Sequence, residues 1–273
     1  MKTGLLLYDE RDYAVNRMFA AHICEKAKML GIDIQVTLTE NLSFPLQSLP
    51  DFVVSRQRNH LLSAEFEKLG IPVFNNARVC ELCNDKRNTH RFLQGLPLMK
   101  TEFPAPGSAY FPEKMDFPLV VKPASGHGGD RVALALNQRQ LEAAISQISP
   151  YPALVQATAS EAGKDLRIYV LFGSIVAAVM RSAQSGIVSN YKRGGNVQLH
   201  TLTAAETGLA QKVIDRFSGR GAPLSFAGID MIFHNGTPVI NEVEDVVGSR
   251  MLYKVSDIDI IDMYIRQIAG RLC

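Results

Sequence analysis

Three carboxylates sit on two short apolar stretches late in the chain, Gly228-Ile229-Asp230 and Asn241-Glu242-Val243-Glu244. Their companions are Met231, Ile232 and Phe233, then Val239, Ile240 and Val243, so the stretches read as the strands of a β-hairpin. Asp230, Glu242 and Glu244 repel one another on so small a scaffold unless a cation lies between them, and an all-oxygen ligand set suits a hard ion, Mg²⁺ before others. The turn decides whether they converge. A two-residue Asn235-Gly236 turn closed by His234 and Thr237 would set Asp230 opposite Asn241 and send Glu242 to the other face. A three-residue loop, His234-Asn235-Gly236, with Gly236 left-handed, puts all three acids on one face. The latter is the expected register, with diagonal neighbours roughly 7–8 Å apart. The plainer alternative is a solvated acidic edge.

A second chemical feature lies upstream. Phe117-Pro-Leu-Val-Val-Lys122-Pro is an apolar strand ending in a lysine, followed by Ser125-Gly126-His127-Gly128-Gly129-Asp130 and the strand Val132–Leu136. Glycines let backbone N–H groups approach phosphate oxygens closely, so strand, glycine loop and strand form a phosphate-covering arrangement. It is not a Walker loop, because the lysine precedes the glycines and no helix follows at once, and it is not a Rossmann fingerprint.

Taken in order, these segments resemble the ATP-grasp superfamily. The branch they are most similar to holds the amino-acid ligases related to the ribosomal-protein glutamate ligase and the carrier-protein ligases of lysine biosynthesis. The likeness starts at Asn84-Asp85-Lys86 and passes through Val121-Lys122-Pro123, Leu154-Val155-Gln156 and Gly163-Lys164-Asp165-Leu166-Arg167. It continues with Ala177-Ala178-Val179-Met180-Arg181, Ser189-Asn190 and Arg193-Gly194-Gly195, and ends on the carboxylate hairpin.

The resemblance implies a fold and a set of roles. The fold is α/β with α+β lobes: an N-terminal parallel-sheet lobe over 1–84, a central lobe with the glycine loop over 85–152, and a C-terminal lobe with the metal site over 153–273. Lys86 and Lys122 would hold ATP phosphates, with Ser125, Gly126, His127, Gly128 and Gly129 closing over them. Gln156, Ala157 and Thr158 would form the adenine hinge, and Asp165 and Arg167 would complete the nucleotide contacts. Arg181, Asn190 and Arg193 are the catalytic candidates; arginines offer bidentate contacts to carboxylate or phosphate. Asp230, Glu242 and Glu244 would bind Mg²⁺, with Mn²⁺ as a substitute. Two positions depart from the family pattern. Ala157 stands where a glutamate is common. Glu244 stands where asparagine is usual, and Asp245-Val246-Val247-Gly248 replaces a Ser-Pro-Gly-like turn; Arg250 is the expected offset for the added charge.

The rest of the chain must position these residues. Strand and helix patterns alternate over residues 1–75, which implies a small parallel sheet covered by helices. One linking helix is expected over 80–96. Asn137 opens a helix in the central lobe, and Thr203-Ala-Ala-Glu206 is a capping box that opens another. A hairpin around Gly173-Ser174 and a C-terminal helix from about Asp257 complete the third lobe.

Composition excludes several classes. At 273 residues, 47% hydrophobic, with a mean hydropathy near zero, the chain reads as globular. A formal charge of +2 gives no broad footprint for nucleic acid. No segment reaches the length of a membrane span, and the N-terminus has no signal-peptide pattern, so a cytoplasmic protein is expected. Cys24, Cys80, Cys83 and Cys273 make no disulfide framework in a chain of this size and are expected to stay reduced. The expected activity is Mg²⁺- and ATP-dependent ligation of a carboxylate to an amine through an acyl-phosphate. Its partners would be small-molecule carboxylate and amine substrates or a peptide or carrier-protein terminus, with no nucleic acid, no membrane, and a homo-oligomer allowed. The alternatives are a phosphotransferase of the same fold acting on a hydroxyl, and a nucleotide-binding module without turnover.

Overall fold

The computed structural model describes residues 1–126, 131–183 and 196–272. Lys2–Tyr8 (β1), Ile32–Leu38 (β2), Phe52–Ser55 (β3) and Val73–Phe74 (β4) form a parallel sheet in the order β2-β1-β3-β4. Glu10–Met29 (α1) and His60–Lys68 (α2) are the crossovers, and each starts where a side chain caps free backbone N–H groups, Asp9 for α1 and Asn59 for α2. Every strand of this sheet therefore runs the same way, and its carboxyl ends open toward one edge.

The expected single helix over 80–96 is instead two, Ala77–Cys83 (α3) and Lys86–Phe92 (α4). Asp85 causes the break. Its backbone is extended, and its carboxylate accepts from the Arg87 N–H at 2.9 Å, so it starts a new helix rather than continuing the old one. The break presents Asn84 and Lys86 to the interior of the molecule, as described below.

The second sheet is antiparallel and small. Thr101–Glu102 (β5), Leu119–Pro123 (β6), Ala133–Ala135 (β7) and Ala153–Ala157 (β8) pair in the order β5-β8-β6-β7, and Gln138–Ile148 (α5) covers one face. Strand β8 thus closes the central sheet, although its sequence falls just past residue 152.

The third sheet has the order β11-β10-β9-β12-β13 and contains Lys164–Leu171 (β9), Ser174–Ser182 (β10), Asn196–Leu199 (β11), Phe226–His234 (β12) and Thr237–Glu244 (β13). Ala204–Ser218 (α6) opens with the Thr203–Glu206 capping box and packs, with its Val213, on one face against Ile168, Ile229 and Met231. The other face meets α1, Arg250–Val255 (α7) and Ile260–Ala269 (α8) through Tyr169, Phe226, Leu252 and Tyr264. Strands β12 and β9 alternate strictly. Ala227, Ile229, Met231 and Phe233 enter the α6 core, which leaves Gly228 and Asp230 for the opposite face. No helix among the described residues is long and apolar enough to cross a membrane.

Candidate active site

The carboxylate hairpin converges, but by a different device from the expected one. Asn235 and Gly236 both have positive φ, 52° and 73°, and His234 pairs with Thr237, so the turn is the two-residue kind. Continued without interruption, that register would have turned Glu242 into the α6 core. A β-bulge intervenes: Met231 pairs with Ile240, yet Asp230 pairs with Glu242, leaving Asn241 as the extra residue. Burial follows the change of parity, since Ile240 before the bulge and Val243 after it both enter the same core. Glu242 and Glu244 are thereby returned to the face of Asp230, and one oxygen from each of the three lies within 4.8 Å of the others.

Two arginines on the neighbouring strands complete this wall. Arg167 on β9 donates through Nε to Asp230 Oδ1 at 2.8 Å and through Nη2 to Oδ2 at 2.6 Å. The same Nη2 lies 2.7 Å from Glu244 Oε1. Arg181 on β10 holds Asp165 through both Nε and Nη2, and reaches Asp230 Oδ2 at 2.7 Å. Arg167, rather than the expected Arg250, is therefore the counter-ion of Glu244. Gly228 makes room for it: a Cβ there would fall 2.8 Å from Val247 Cγ2 and 3.4 Å from Arg167 Nε.

The ionisation of these groups follows from burial set against those cations. Burial raises the Asp230 carboxyl, but Arg167 and Arg181 outweigh it and hold the group down to about 2. Glu242 is lowered because Lys86 and Lys122 more than offset its burial and the charge of Asp230. Glu244 goes the other way: burial, with Asp230 and Glu242 adding to it, raises it to about 7 despite Arg167.

The opposite wall comes from the second sheet and from α4. Lys122 at the end of β6 is buried and donates to Asn241 Oδ1 at 3.1 Å, which gives the bulged residue a function. Burial lowers the Lys122 ammonium to about 8. Lys86 at the start of α4 donates to the Gly126 carbonyl at 2.7 Å and lies 3.7 Å from Glu242 Oε2. Between the walls is a cavity of about 440 Å³, lined by Lys86, Lys122, Gln156, Arg167, Asp230 and Glu242 among others.

The remaining sequence-predicted residues fall as follows. Gly126 lines the cavity, whereas Ser125 is exposed and does not. Gln156, Ala157 and Thr158 line it, but the Gln156 side chain turns to Thr101 Oγ1 at 3.1 Å and the Ala157 N–H donates to the Lys100 carbonyl at 2.9 Å. Asp165, Arg167 and Arg181 line it while spending their charges mainly on one another and on Asp230. His127, Gly128, Gly129, Asn190 and Arg193 lie outside the described residues.

Sequence reasoning missed the contribution of the first lobe. Asp12 and Asn16 of α1, with Arg56 and Arg58 just after β3, also line the cavity. Arg58 pairs with Asp12, and Arg56 donates to the Val247 carbonyl at 2.9 Å. The available signal was positional, because ligands of parallel sheets gather beyond the carboxyl ends of the strands, where Asp12, Arg56 and Arg58 stand. Asn84, freed by the helix break, donates to both oxygens of Asp245 at 3.0 Å. Asn75 clamps the same region. Its amide donates to the Phe226 and Asp245 carbonyls at 2.8 and 2.9 Å and accepts from the Ser225 and Phe226 N–H groups at 2.7 and 3.1 Å. The N-terminal lobe is thus tied to the end of the hairpin by two side-chain amides, with the Asn75 amide used at both its oxygen and its nitrogen.

The chemistry of the donor set fits a hard divalent cation. Asp230 accepts three N–H bonds out of about four lone-pair sites, and neither Glu242 oxygen accepts a hydrogen bond among the described residues.

Comparison with known proteins agrees with this geometry. Residues 107–268 match the family model described as a RimK-like ATP-grasp domain. A probable alpha-L-glutamate ligase of Shewanella frigidimarina is 31% identical over 211 residues, covering 74% of this chain and 69% of that one. A ribosomal protein bS6–L-glutamate ligase of Escherichia coli is 32% identical over 216 residues, covering 75% and 69%. Among solved structures, a RimK-domain ATP-grasp protein of Sphaerobacter thermophilus superposes with a TM-score of 0.75 at 20% identity, over 98% of this chain and 100% of that one. A D-alanine–D-alanine ligase of Bacillus anthracis, complexed with ATP, gives 0.76 at 16% identity, over 99% of each.

Proposed function

This chain belongs to the RimK-like ATP-grasp family and is an ATP-dependent ligase that forms C–N bonds, and on that premise we propose that it joins an amino acid of the glutamate class to the end of a peptide or protein through an acyl-phosphate. The observation that carries this reading is the opposition of two lysines to three clustered carboxylates across one cavity. ATP would lie between them, its phosphates toward Lys86 and Lys122 and its base toward the Gln156–Thr158 edge. Four carboxylates (Asp165, Asp230, Glu242, Glu244) and four cations (Lys86, Lys122, Arg167, Arg181) cancel formally in this cluster. A nucleotide therefore enters best with its charge already balanced by metal.

Asp230, Glu242 and Glu244 would hold Mg²⁺, or Mn²⁺ in its place, and the ion supplies charge neutralisation at the phosphate oxygens. The protein's own groups do the positioning. Lys122 and Lys86 fix the transferring phosphoryl group as point charges, and Arg167 and Arg181 hold Asp230 ionised and in place. A substrate carboxylate then attacks the γ-phosphorus and ADP leaves. The amine displaces phosphate from the acyl carbon and loses a proton to give the amide. In this reading Asp12, Arg58 and Arg250 form the substrate end of the cavity.

Trapping tests the reaction class. With ATP, Mg²⁺ and a pool of amino acids and short peptides, hydroxylamine should divert the acyl-phosphate to a hydroxamate, and ¹⁸O should pass from carboxylate to phosphate. ADP release that needs a carboxylate but gives neither signal would remove the acyl-phosphate step.

A further inference from the structure

The cavity does not end at its own rim. Helix α1 runs out of it, with Val15 lining the cavity and 64% exposed, and Met18, one turn further, 86% exposed. Beyond Met18, the His22 ring lies tilted, 6.0 Å from the ring of Tyr253 of α7, a residue itself 36% exposed. At the other end of α7, Arg250 lines the cavity, is exposed, and pairs with no carboxylate among the described residues. Val15 and Met18 form an apolar strip that begins in the cavity Arg250 also lines and runs toward the Tyr253 ring, where His22 and the Tyr253 hydroxyl meet Asp259 at its far end. Met18 has the exposure of a side chain that the fold does not use, and the irregular turn of α1 at Asn16 (φ −120°, ψ 17°) lies at this same rim.

We propose that this strip is the docking track for the polypeptide substrate: its terminal residue occupies the cavity near Arg250, and the preceding residues lie along Val15, Met18 and Tyr253. This rests on the reading that one substrate is a chain end. From residue 15 to residue 22 a helix rises about 10 Å. An extended peptide covers that distance in about three residues. Arg250 complements a carboxylate of the entering end, and the strip supplies contact without sequence-specific hydrogen bonds. The enzyme therefore reads the length and apolar character of the tail more than its identity.

The test uses pooled peptides of two to six residues with randomised sequence and free C-termini, incubated with glutamate, ATP and Mg²⁺, and followed by product mass and ADP release. The specificity constant should rise with length and level off at about four residues. Met18→Glu should lower it for the longer peptides by about tenfold while leaving the dipeptide rate unchanged, and Met18→Leu should restore it. A specificity constant independent of length, or a length dependence unchanged in Met18→Glu, overturns the track. Turnover of free amino acids with none of any peptide also overturns it but leaves the ligase reading intact. Absence of ADP release with every pool sinks the ligase reading, and the track with it. If Met18→Glu instead changes only the oligomeric state in sedimentation, the strip belongs to a second copy of the chain and the proposal is wrong.

Discussion

The two walls of the cavity are charged to a similar degree and organised oppositely. On the third sheet, Asp230 and Asp165 are held by bidentate contacts from Arg167 and Arg181, and Glu244 by one short contact to Arg167, so the wall is largely satisfied from within. On the second sheet and α4, Lys122 has a single side-chain acceptor among the described residues, Asn241, and Lys86 is held there by one carbonyl and a longer ion pair. A paired buried charge is stable where it stands, whereas a buried cation with one partner is held at a cost that a ligand can relieve. The arginine wall is built to hold shape and the lysine wall to receive phosphate.

Breaking each wall should therefore fail in a different way. Lys122→Met, and likewise Lys86→Met, should leave folding intact and lower ATP affinity and turnover by about 10²–10³-fold or more, as loss of a preorganised electrostatic contact does. Nucleotide titration by fluorescence and ADP release read both effects, and wild-type ATP affinity in either variant would end the assignment. Asp230→Asn should fail first in stability. It leaves two buried guanidiniums short of a charge, a change that costs about 3–5 kcal/mol, visible as a lower midpoint in urea. If Lys122→Met destabilises the protein as much as Asp230→Asn does, the contrast between the walls is wrong.

The same contrast marks what the sequence made legible. Lys122, the three acids and the strands that carry them stand out because apolar runs punctuated by charge are local patterns, whereas Lys86, at a helix start, is picked out only by the family resemblance. The bulge at Asn241 is not local. Its cause is that the α6 core accepts Ile240 and Val243 while rejecting Glu242, which requires knowing what packs behind the hairpin. Parity alone favoured the longer turn and reached the same face for the wrong reason. Arg167 and Arg181 were visible as candidates, but their partners lie one or two strands away, and pairing across a sheet has no signature in spacing. The first lobe was legible as a fold yet silent as a site, since Arg56 and Arg58 acquire meaning only where the sheet edge meets the hairpin.

Glu244 tests how far the satisfied wall tolerates a lost charge. Asparagine at this position keeps an oxygen ligand but removes the partner that shares Arg167 with Asp230. Arg167 retains both contacts to Asp230, so the fold should hold. Mg²⁺ should be bound less tightly, with the requirement for half-maximal activity rising by about tenfold, the worth of about 1.4 kcal/mol. Glu242→Gln, which alters a carboxylate with no hydrogen bond among the described residues, should lose most activity instead. An unchanged Mg²⁺ requirement in Glu244→Asn would assign Glu244 to Arg167 alone.

The smallest effect, and the one that isolates the receiving wall, is titration of Lys122. Burial lowers its ammonium from 10.5 to about 8, so the charge that meets phosphate is lost within the working range. In the unfolded chain the lysine stays protonated up to its ordinary range. Between about 8 and 10.5 the unfolded state therefore binds more protons, and stability rises with pH across that window. Nucleotide affinity moves the opposite way. At pH 7 the side chain is almost wholly charged and at pH 8 half so, which predicts about a twofold loss of ATP affinity between them and a steeper loss above. Lys122→Arg should flatten that dependence, because guanidinium keeps its proton throughout. The measurement is ATP-analogue affinity against pH in both proteins at fixed Mg²⁺. A slope that survives in Lys122→Arg would place the titrating group elsewhere on the cavity wall.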